Sequence, residues 1–213
     1  MKITSIVLTT ILFAINCFGQ TNRKVADQYF MKAFKLNMDA TSGIEAENRQ
    51  MLKRAYLDSA INNDRAYFAA YQLKLESFKS SSKLDSAIIV CNKALKMFPQ
   101  KKMEWLSTRG RLYKDSKNEI LSKNDYASVK RIIISNLNTI DTLQKKNASL
   151  RITDAFCALY IGEKSMGMNV FQRLKIKFPE DAYIKKTYQI FLDADKNSGN
   201  GKPTIIWSPL PVH

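Results

Sequence analysis

The stretch DADKNSGNG at 193–201 is the one place in the sequence where residue types and spacing suggest a metal ion. Asp193, Asp195 and Asn197 alternate there, as oxygen ligands do in calcium loops. Thr204, however, stands where such a loop needs a bidentate glutamate. A helix end that runs into a Gly/Asn/Ser linker explains the same residues. We therefore expect no metal site and keep these three residues only as a calcium candidate.

Catalytic chemistry finds little support elsewhere in the sequence. The only histidine is His213, the last residue, which removes nearly all Ser-His and Cys-His arrangements and the usual zinc sites. The carboxylates are scattered on polar helix faces beside lysines or arginines, so a solvated surface explains them better than paired acid-base groups do. No dinucleotide fingerprint and no phosphate-binding loop is present. The sequence therefore predicts a protein that is not an enzyme and uses no cofactor.

The N-terminal stretch MKITSIVLTTILFAINCFGQ is typical of an export signal. One lysine precedes an apolar run from Ile3 to Ile15, which is shorter than the roughly 18 residues of a membrane span and matches the core of a signal peptide. Cleavage after Gly19 would leave Gln20 first. We predict a signal peptide at 1–19 and an exported protein, periplasmic or secreted.

Cys17 leaves a second interpretation of this segment open, in which the protein is a lipoprotein anchored through that cysteine. Such processing usually needs Gly, Ala or Ser before the cysteine, and Asn16 stands there. Peripheral membrane association is expected only if Cys17 is lipidated.

The charge balance favours anionic partners. The chain has 34 Lys and Arg against 19 Asp and Glu, a formal net charge of +15. Such an excess attracts nucleic acid, acidic proteins, anionic glycans or phospholipid headgroups. Export argues against nucleic acid, so we expect a protein or peptide partner with acidic residues. A generally basic, soluble surface explains the charge equally simply.

Helical periodicity runs through most of the chain, and strand signals are almost absent. Apolar residues recur at steps of three and four, for example at Leu84, Ala87, Cys91 and Ala94. The predicted helices are 22–38, 44–62, 65–79, 83–98, 102–115, 123–141, 147–161, 164–178 and 181–194. We expect one domain at 20–195 and a flexible C-terminal tail at 196–213.

Segments of the chain repeat. SAINNDRAYF at 59–68 and KALKMFPQKK at 93–102 align at an offset of 34 residues, which places Ala60 against Ala94. RLKIKFPEDA at 173–182 aligns with the second of these at an offset of 80 residues. Two periods of 34 residues account for all but 12 of these 80 residues. The 12 extra residues predict an enlarged loop and a longer second helix between 114 and 146.

These stretches resemble the tetratricopeptide repeat, a helix-turn-helix unit of 34 residues. WLSTRGRLY resembles its first helix, LDSAIIVCNKALKMFP its second helix, and YIGEKSMGMNVFQRLKIKFP the turn and second helix of a later copy. Arg109 departs from the pattern because it replaces the expected leucine. The resemblance covers roughly 44–180 and implies a right-handed solenoid of antiparallel helix pairs, about four pairs plus a terminal helix. The residues that it places in packing positions are Ala60, Ala87, Ala94, Pro99, Gly110, Tyr113, Gly162, Phe171 and Pro179.

Gly110 stands inside a predicted helix, where glycine costs roughly 1 kcal/mol relative to alanine. In paired-helix repeats the two helices approach closely at one point of the first helix, and a side chain there would push them apart. We therefore expect Gly110 to lie at such a contact. The alternative is that the segment RGR ends the helix.

Cys91 and Cys157 remain after removal of the signal peptide. Stacking in order would place a helix pair between them, about two interaxial distances of 8–10 Å. A disulfide requires Cα atoms within about 7 Å, so we predict no intramolecular Cys91–Cys157 disulfide.

The resemblance implies a concave binding face built from the first helices. With the register above, its residues are Gln72, Glu76, Lys79, Ser107, Arg111, Lys114, Phe156 and Tyr160. Mixed basic and aromatic groups suit an extended peptide with acidic residues, so the expected function is non-catalytic binding of a protein or peptide in the bacterial envelope.

Other functions stay open at this point. One is an immunity or inhibitor protein that neutralises a single toxin or enzyme, and another is an enzyme acting on an envelope polymer. The apolar tail KPTIIWSPLPVH could dock as an extended ligand, on this protein or on a partner, or remain a disordered end.

Overall fold

The computed structural model describes residues 22–36 and 44–198. All regular structure within these ranges is helical, which confirms the predicted all-α class. The predicted signal peptide at 1–19 and the segment 199–213 lie outside the described residues. The α-helices are α1 (22–36), α2 (Ile44–Asn63), α3 (Phe68–Ser80), α4 (Leu84–Met97), α5 (Lys102–Asp115), α6 (Glu119–Leu137), α7 (Ala148–Tyr160), α8 (Lys164–Lys177) and α9 (Ala182–Ser198). Short 3-10 helices lie at Pro99–Lys101, Ile140–Thr142 and Lys145–Asn147.

The chain divides into two compact units between Gln100 and Lys101. Unit 1 contains α1 to α4, and unit 2 contains α5 to α9. The sequence predicted one domain over 20–195 and did not anticipate this division.

One turn geometry joins α3 to α4, α5 to α6 and α7 to α8. Ser82, Lys117 and Gly162 have positive φ angles of 53°, 61° and 86°. In each turn the N–H of the next residue donates to the carbonyl five residues earlier, at 2.9, 2.7 and 2.8 Å in chain order. This is the capping arrangement in which a left-handed residue ends a helix. The three helix pairs are therefore copies of one structural repeat. Residues that stand equally far before the positive-φ residue of each turn are equivalent.

The second helices α4 and α8 also end alike. Phe98 and Phe178 have nearly the same backbone angles, and each donates its N–H to the carbonyl four residues earlier at 2.8 Å. Pro99 and Pro179 follow them, where a proline cannot continue the helix. These repeated ends explain why the segments 93–102 and 173–182 align in sequence.

The residues in excess of the 34-residue repeat lie between the last two copies, where the repeat spacing predicts them. Helix α6 has 19 residues, against 14 in α4 and 14 in α8. The 3-10 helices at Ile140–Thr142 and Lys145–Asn147 then lengthen the connection to α7. Helix α6 begins at Glu119, four residues before its predicted start, because it follows the common turn directly.

Small residues bring the helices of unit 1 together. Ala26 and Ala33 of α1 pack with Leu57 and Ala60 of α2 in one fully buried cluster, which Tyr67 joins. On α4, three small residues at helical spacing are fully buried: Ala87, Cys91 and Ala94.

Two glycines allow close helix contacts in unit 2. A Cβ atom on Gly110 would lie 2.5 Å from Cε1 of Tyr126 on α6, and one on Gly167 would lie 2.8 Å from the carbonyl oxygen of Ala155 on α7. Helix α5 continues to Asp115, so Gly110 lies inside the helix and does not end it. This is the close approach that the packing explanation of Gly110 requires.

The helices of unit 2 form two layers. Helix α7 contacts its pair partner α8 and also α5 and α9, and α6 contacts α5 and α7. The first helices α5, α7 and α9 therefore lie side by side in one layer, which we call the first-helix layer. Arg173 of α8 donates to the carbonyl of Leu137 at the end of α6 at 2.8 Å, which ties the second helices together.

A candidate binding face on α7 and α9

The common turns fix the register of the predicted face. Glu76, Arg111 and Phe156 each stand six residues before the positive-φ residue of their turn, so they are equivalent. Lys79 and Lys114 are equivalent in the same way. Gln72, Glu76 and Lys79 belong to unit 1, and the other predicted residues belong to unit 2.

The unit 1 part of the face is charged and already paired. Glu76 and Lys79 are exposed and form an ion pair at 2.8 Å, while Gln72 is half-buried. Lys53 of α2 is buried; burial lowers its pKa, and Glu76 opposes that shift. The predicted residues of unit 1 are all polar, so none of them offers an apolar side chain to a ligand.

Ser107 does not line the face, and its assignment was wrong. The residue is fully buried, and its hydroxyl donates to the carbonyl of Met103 at 2.8 Å. Its hydroxyl also lowers the pKa of the Cys157 thiol on α7, against the larger raising effect of burial. Ile152, its equivalent on α7, is buried too. The reason is that α7 packs over this part of α5, as neighbouring first helices do in a layer.

Phe156 serves mainly in packing between helices. It is half-buried, and its ring makes edge contacts with Phe171 of α8 and Phe191 of α9 at centroid distances of 6.3 and 5.7 Å. Phe171 is fully buried, as its predicted packing role requires. Phe156 thus fixes α9 against α7 and leaves only part of its ring accessible.

Helix α9 contributes two exposed apolar residues that the sequence analysis missed. Ile190 is 45% exposed and Tyr183 is 42% exposed. Tyr188 marks the side of α9 that faces α8, since its ring lies 5.3 Å from that of Phe171 and Lys175 lies over it. At about 100° per residue, Ile190 and Tyr183 point about 140–160° away from Tyr188. Phe191, which contacts Phe156 of α7, lies between them and Tyr188 around the helix. Tyr183 and Ile190 therefore lie on the side of α9 that is nearer α7 than α8.

We call the surface formed by Phe156, Tyr160, Tyr183 and Ile190 the α7–α9 face. Tyr160 ends α7 and is half-buried. The spacing of seven residues between Tyr183 and Ile190 is the sequence signal for this stripe, but a terminal helix has no position in the repeat pattern that would mark it as part of a face.

Basic groups flank the α7–α9 face. Lys186 is exposed and lies between Tyr183 and Ile190 on the same flank of α9. On α5, Lys114 is exposed, and Arg111 pairs with Asp115 at 3.2 Å. Apolar rings and an isoleucine can bury the side chains of an extended segment, and the lysines can pair with its acidic groups.

A buried polar network ties α6 to α7. Asp154 is 2% exposed, forms an ion pair with Arg151 at 3.2 Å and accepts a hydrogen bond from Asn136 of α6 at 3.2 Å. Burial raises the pKa of Asp154 to about 7, against the opposing effects of Arg151 and Asn136. Burial also raises the pKa of Glu104, which pairs with Lys101 at 3.1 Å. Both perturbed carboxyl groups already have cationic partners.

The three residues of the calcium candidate lie in a helix and not in a loop. Helix α9 continues to Ser198, four residues past its predicted end, so Asp193, Asp195 and Asn197 all have helical backbone. The calcium interpretation needed a loop over these residues, and that part of it was wrong. Among the described residues, no group of three or more His, Cys, Asp or Glu side chains is placed to hold a metal ion.

Cys91 and Cys157 are both buried, the first on α4 in unit 1 and the second on α7 in unit 2. Burial raises the pKa of the Cys157 thiol, which disfavours the reactive thiolate. Of the helices within 22–36 and 44–198, none has the length and apolar character needed to cross a membrane.

Comparison with protein-family models, with curated proteins and with solved structures finds no match for this chain.

Proposed function

We propose that this chain is a non-catalytic protein that binds an extended peptide or protein segment along the α7–α9 face. The observation that carries the proposal is the exposure of Tyr183 and Ile190 on the side of α9 nearer α7, the helix that contributes Phe156 and Tyr160. Aromatic side chains that are partly fixed by packing lose little entropy when a partner covers them, which suits them as binding anchors.

The ligand chemistry follows from what surrounds these anchors. Lys186 and Lys114 are exposed cations, and the chain as a whole carries a net charge of +15. A segment that combines aliphatic or aromatic residues with acidic ones would satisfy both features. Fixed apolar contacts would give most of the affinity, and the charges would mainly speed association.

The architecture proposed for this function is a right-handed solenoid of tetratricopeptide type within each unit. The common turns at Ser82, Lys117 and Gly162 and the contacts of α7 with both α5 and α9 support it. Stacked helix pairs of this kind present an extended surface formed by their first helices.

We also propose that the protein works outside the cytoplasm, in the periplasm or beyond, because its first residues have the pattern of a signal peptide. A role in binding rather than catalysis is supported by Glu104 and Asp154. Their pKa values are raised, as those of catalytic acids often are, but each is held by a neighbouring cation on its own segment.

Peptide selection tests the binding proposal. A displayed library of random peptides is selected on the immobilised chain, and binding of the enriched peptides is measured by calorimetry. We expect enriched peptides to combine apolar and acidic residues. Ile190→Glu should weaken their binding about tenfold or more, the effect of losing roughly 1.4 kcal/mol at an interface.

Ile176→Glu is the matched control, because Ile176 is 82% exposed on α8, away from the α7–α9 face. It should bind the enriched peptides as the unaltered chain does. A selection that enriches no peptide, or equal binding by both variants, would contradict the proposal.

A further inference from the structure

The α7–α9 face has a candidate occupant in this chain itself. Helix α9 ends at Ser198, and the sequence continues as GNGKPTIIWSPLPVH to His213. This C-terminal segment therefore starts from the same helix that carries Tyr183 and Ile190. A ligand attached at the edge of its own site has a high effective concentration there, so even weak contacts hold it.

The distances allow the segment to fold back along α9. Ile190 lies about 12 Å before Ser198 along the helix axis, and Tyr183 lies about 22 Å before it, at 1.5 Å per residue. Residues 199–203 can span up to about 17 Å when extended. Thr204 can thus reach Ile190, and the three residues after it can run on toward Tyr183.

The composition of residues 204–212 suits them to an apolar face. The segment TIIWSPLPV contains no charged residue, and it places Ile205, Ile206 and Trp207 together. Keeping such side chains in water is costly, at roughly 25 cal/mol for each Å² of apolar surface. Pro209 and Pro211 favour an extended backbone in advance, which lowers the entropy lost on docking.

We propose that residues 204–212 dock on the α7–α9 face of their own chain as an internal ligand, so that an external peptide must displace them. This rests on the proposed function, because it uses the same face. It goes beyond that function by naming one segment of the chain as a ligand of the face.

Trp207 fluorescence in the full chain tests this docking. The chain has two tryptophans, and Trp105 is buried at 3% exposure. Subtracting the spectrum of Trp207→Phe isolates the emission of Trp207. We expect this emission to be blue-shifted, and its quenching by acrylamide to be weaker, relative to N-acetyltryptophanamide.

Two variants locate the docking site. Ile190→Glu should raise the quenching of Trp207 to that of N-acetyltryptophanamide, and the control Ile176→Glu should leave it unchanged. The Trp105 emission and the helical circular dichroism of each variant report whether the fold is retained. Shielding that survives Ile190→Glu in a folded chain, Trp207 that is fully quenched in the unaltered chain, or shielding lost on dilution to low protein concentration would each overturn the proposal. The last result would mean that the tail binds a second copy.

The two proposals can fail separately. If Trp207 is unshielded but selected peptides still bind in a manner sensitive to Ile190→Glu, the tail does not dock and the binding function stands. If Trp207 is shielded through Ile190 but no peptide binds the chain, even with the tail variant Ile206→Asp, the docking stands and the proposed function fails. If both hold, Ile206→Asp should raise the affinity for selected peptides.

Discussion

Gly110 of α5 lies directly against Tyr126 of α6, so close that a Cβ atom on the glycine would come within 2.5 Å of ring atom Cε1 and 2.7 Å of Cδ1. The contact joins the two helices of one pair at the middle of the first. It explains why a helix interior contains the residue with the poorest helix propensity after proline.

Replacing Gly110 by alanine should destabilise the protein. Helix propensity alone would give a gain of about 1 kcal/mol, but the added methyl group must displace Tyr126, and overpacking costs about 1–3 kcal/mol. Urea unfolding measures the balance. In a Tyr126→Ala background the same replacement should cost less or become stabilising, as a double-mutant cycle would show. A stabilising Gly110→Ala in the unaltered chain would mean that the contact is absent.

Replacing Lys117 by glycine should stabilise the protein. Its φ of 61° is left-handed, which costs a residue with a Cβ atom about 1–2 kcal/mol. Lys117→Gly should therefore raise the free energy of unfolding by about 1 kcal/mol, and Gly162→Ala, at φ 86°, should lower it by a similar amount. Lys114→Gly, inside α5, is the control and should destabilise. Equal losses at Lys114 and Lys117 would show that the shared turn does not form.

The pair Arg109–Asp125 should be sensitive to loss of one partner. Arg109 donates to both carboxylate oxygens of Asp125, at 2.8 and 2.6 Å, and Asp125 is buried. Arg109→Leu introduces the residue expected in a tetratricopeptide repeat but leaves a buried carboxylate without this partner, at a cost of about 3 kcal/mol. Arg109→Leu combined with Asp125→Leu should cost clearly less in denaturant unfolding. Additive losses would instead show that the pair is not coupled.

The ionisation of Asp154 should make stability fall as pH rises. Its pKa in the folded state is raised from 3.8 to about 7 by burial, so the folded protein binds this proton more tightly than the unfolded chain does. The contribution is favourable below about pH 4 and is lost progressively toward pH 7. Compared with Asp154→Asn, the native chain should lose stability on the order of a few kcal/mol across this range.

Unfolding free energies of both proteins at a series of pH values measure this difference directly. The opposite contribution of Asp181, whose pKa is lowered by backbone hydrogen bonds at the start of α9, cancels in the comparison. A difference that is constant with pH, or that grows in favour of the native chain, would contradict the assignment.

The sequence predicted the helices well because proline, turn residues and apolar spacing act locally. It also predicted that Gly110 lies at a helix contact. The assignment of Ser107 to the binding face was wrong for a non-local reason, since only the packing of α7 on α5 decides that this position is covered. Asp154 was missed because its carboxylate differs from surface ones only through burial and its contacts with Arg151 and Asn136.

Only some residues of the binding face could be predicted from the sequence, for the same reason. The register that selected Phe156 and Tyr160 follows from the repeat pattern, but Tyr183 and Ile190 become part of a surface only once α9 is seen beside α7. A terminal helix without a pair partner has no counterpart in the repeat pattern. Its role has to come from the three-dimensional contacts.

Amide chemical-shift mapping of the chain with a peptide selected on it would locate the bound peptide on the surface. We expect the largest shifts to cluster on α7 and α9, around Phe156 and Ile190, with little change around Ile176 on α8. The largest shifts around Ile176, or in unit 1 around Glu76, would contradict it.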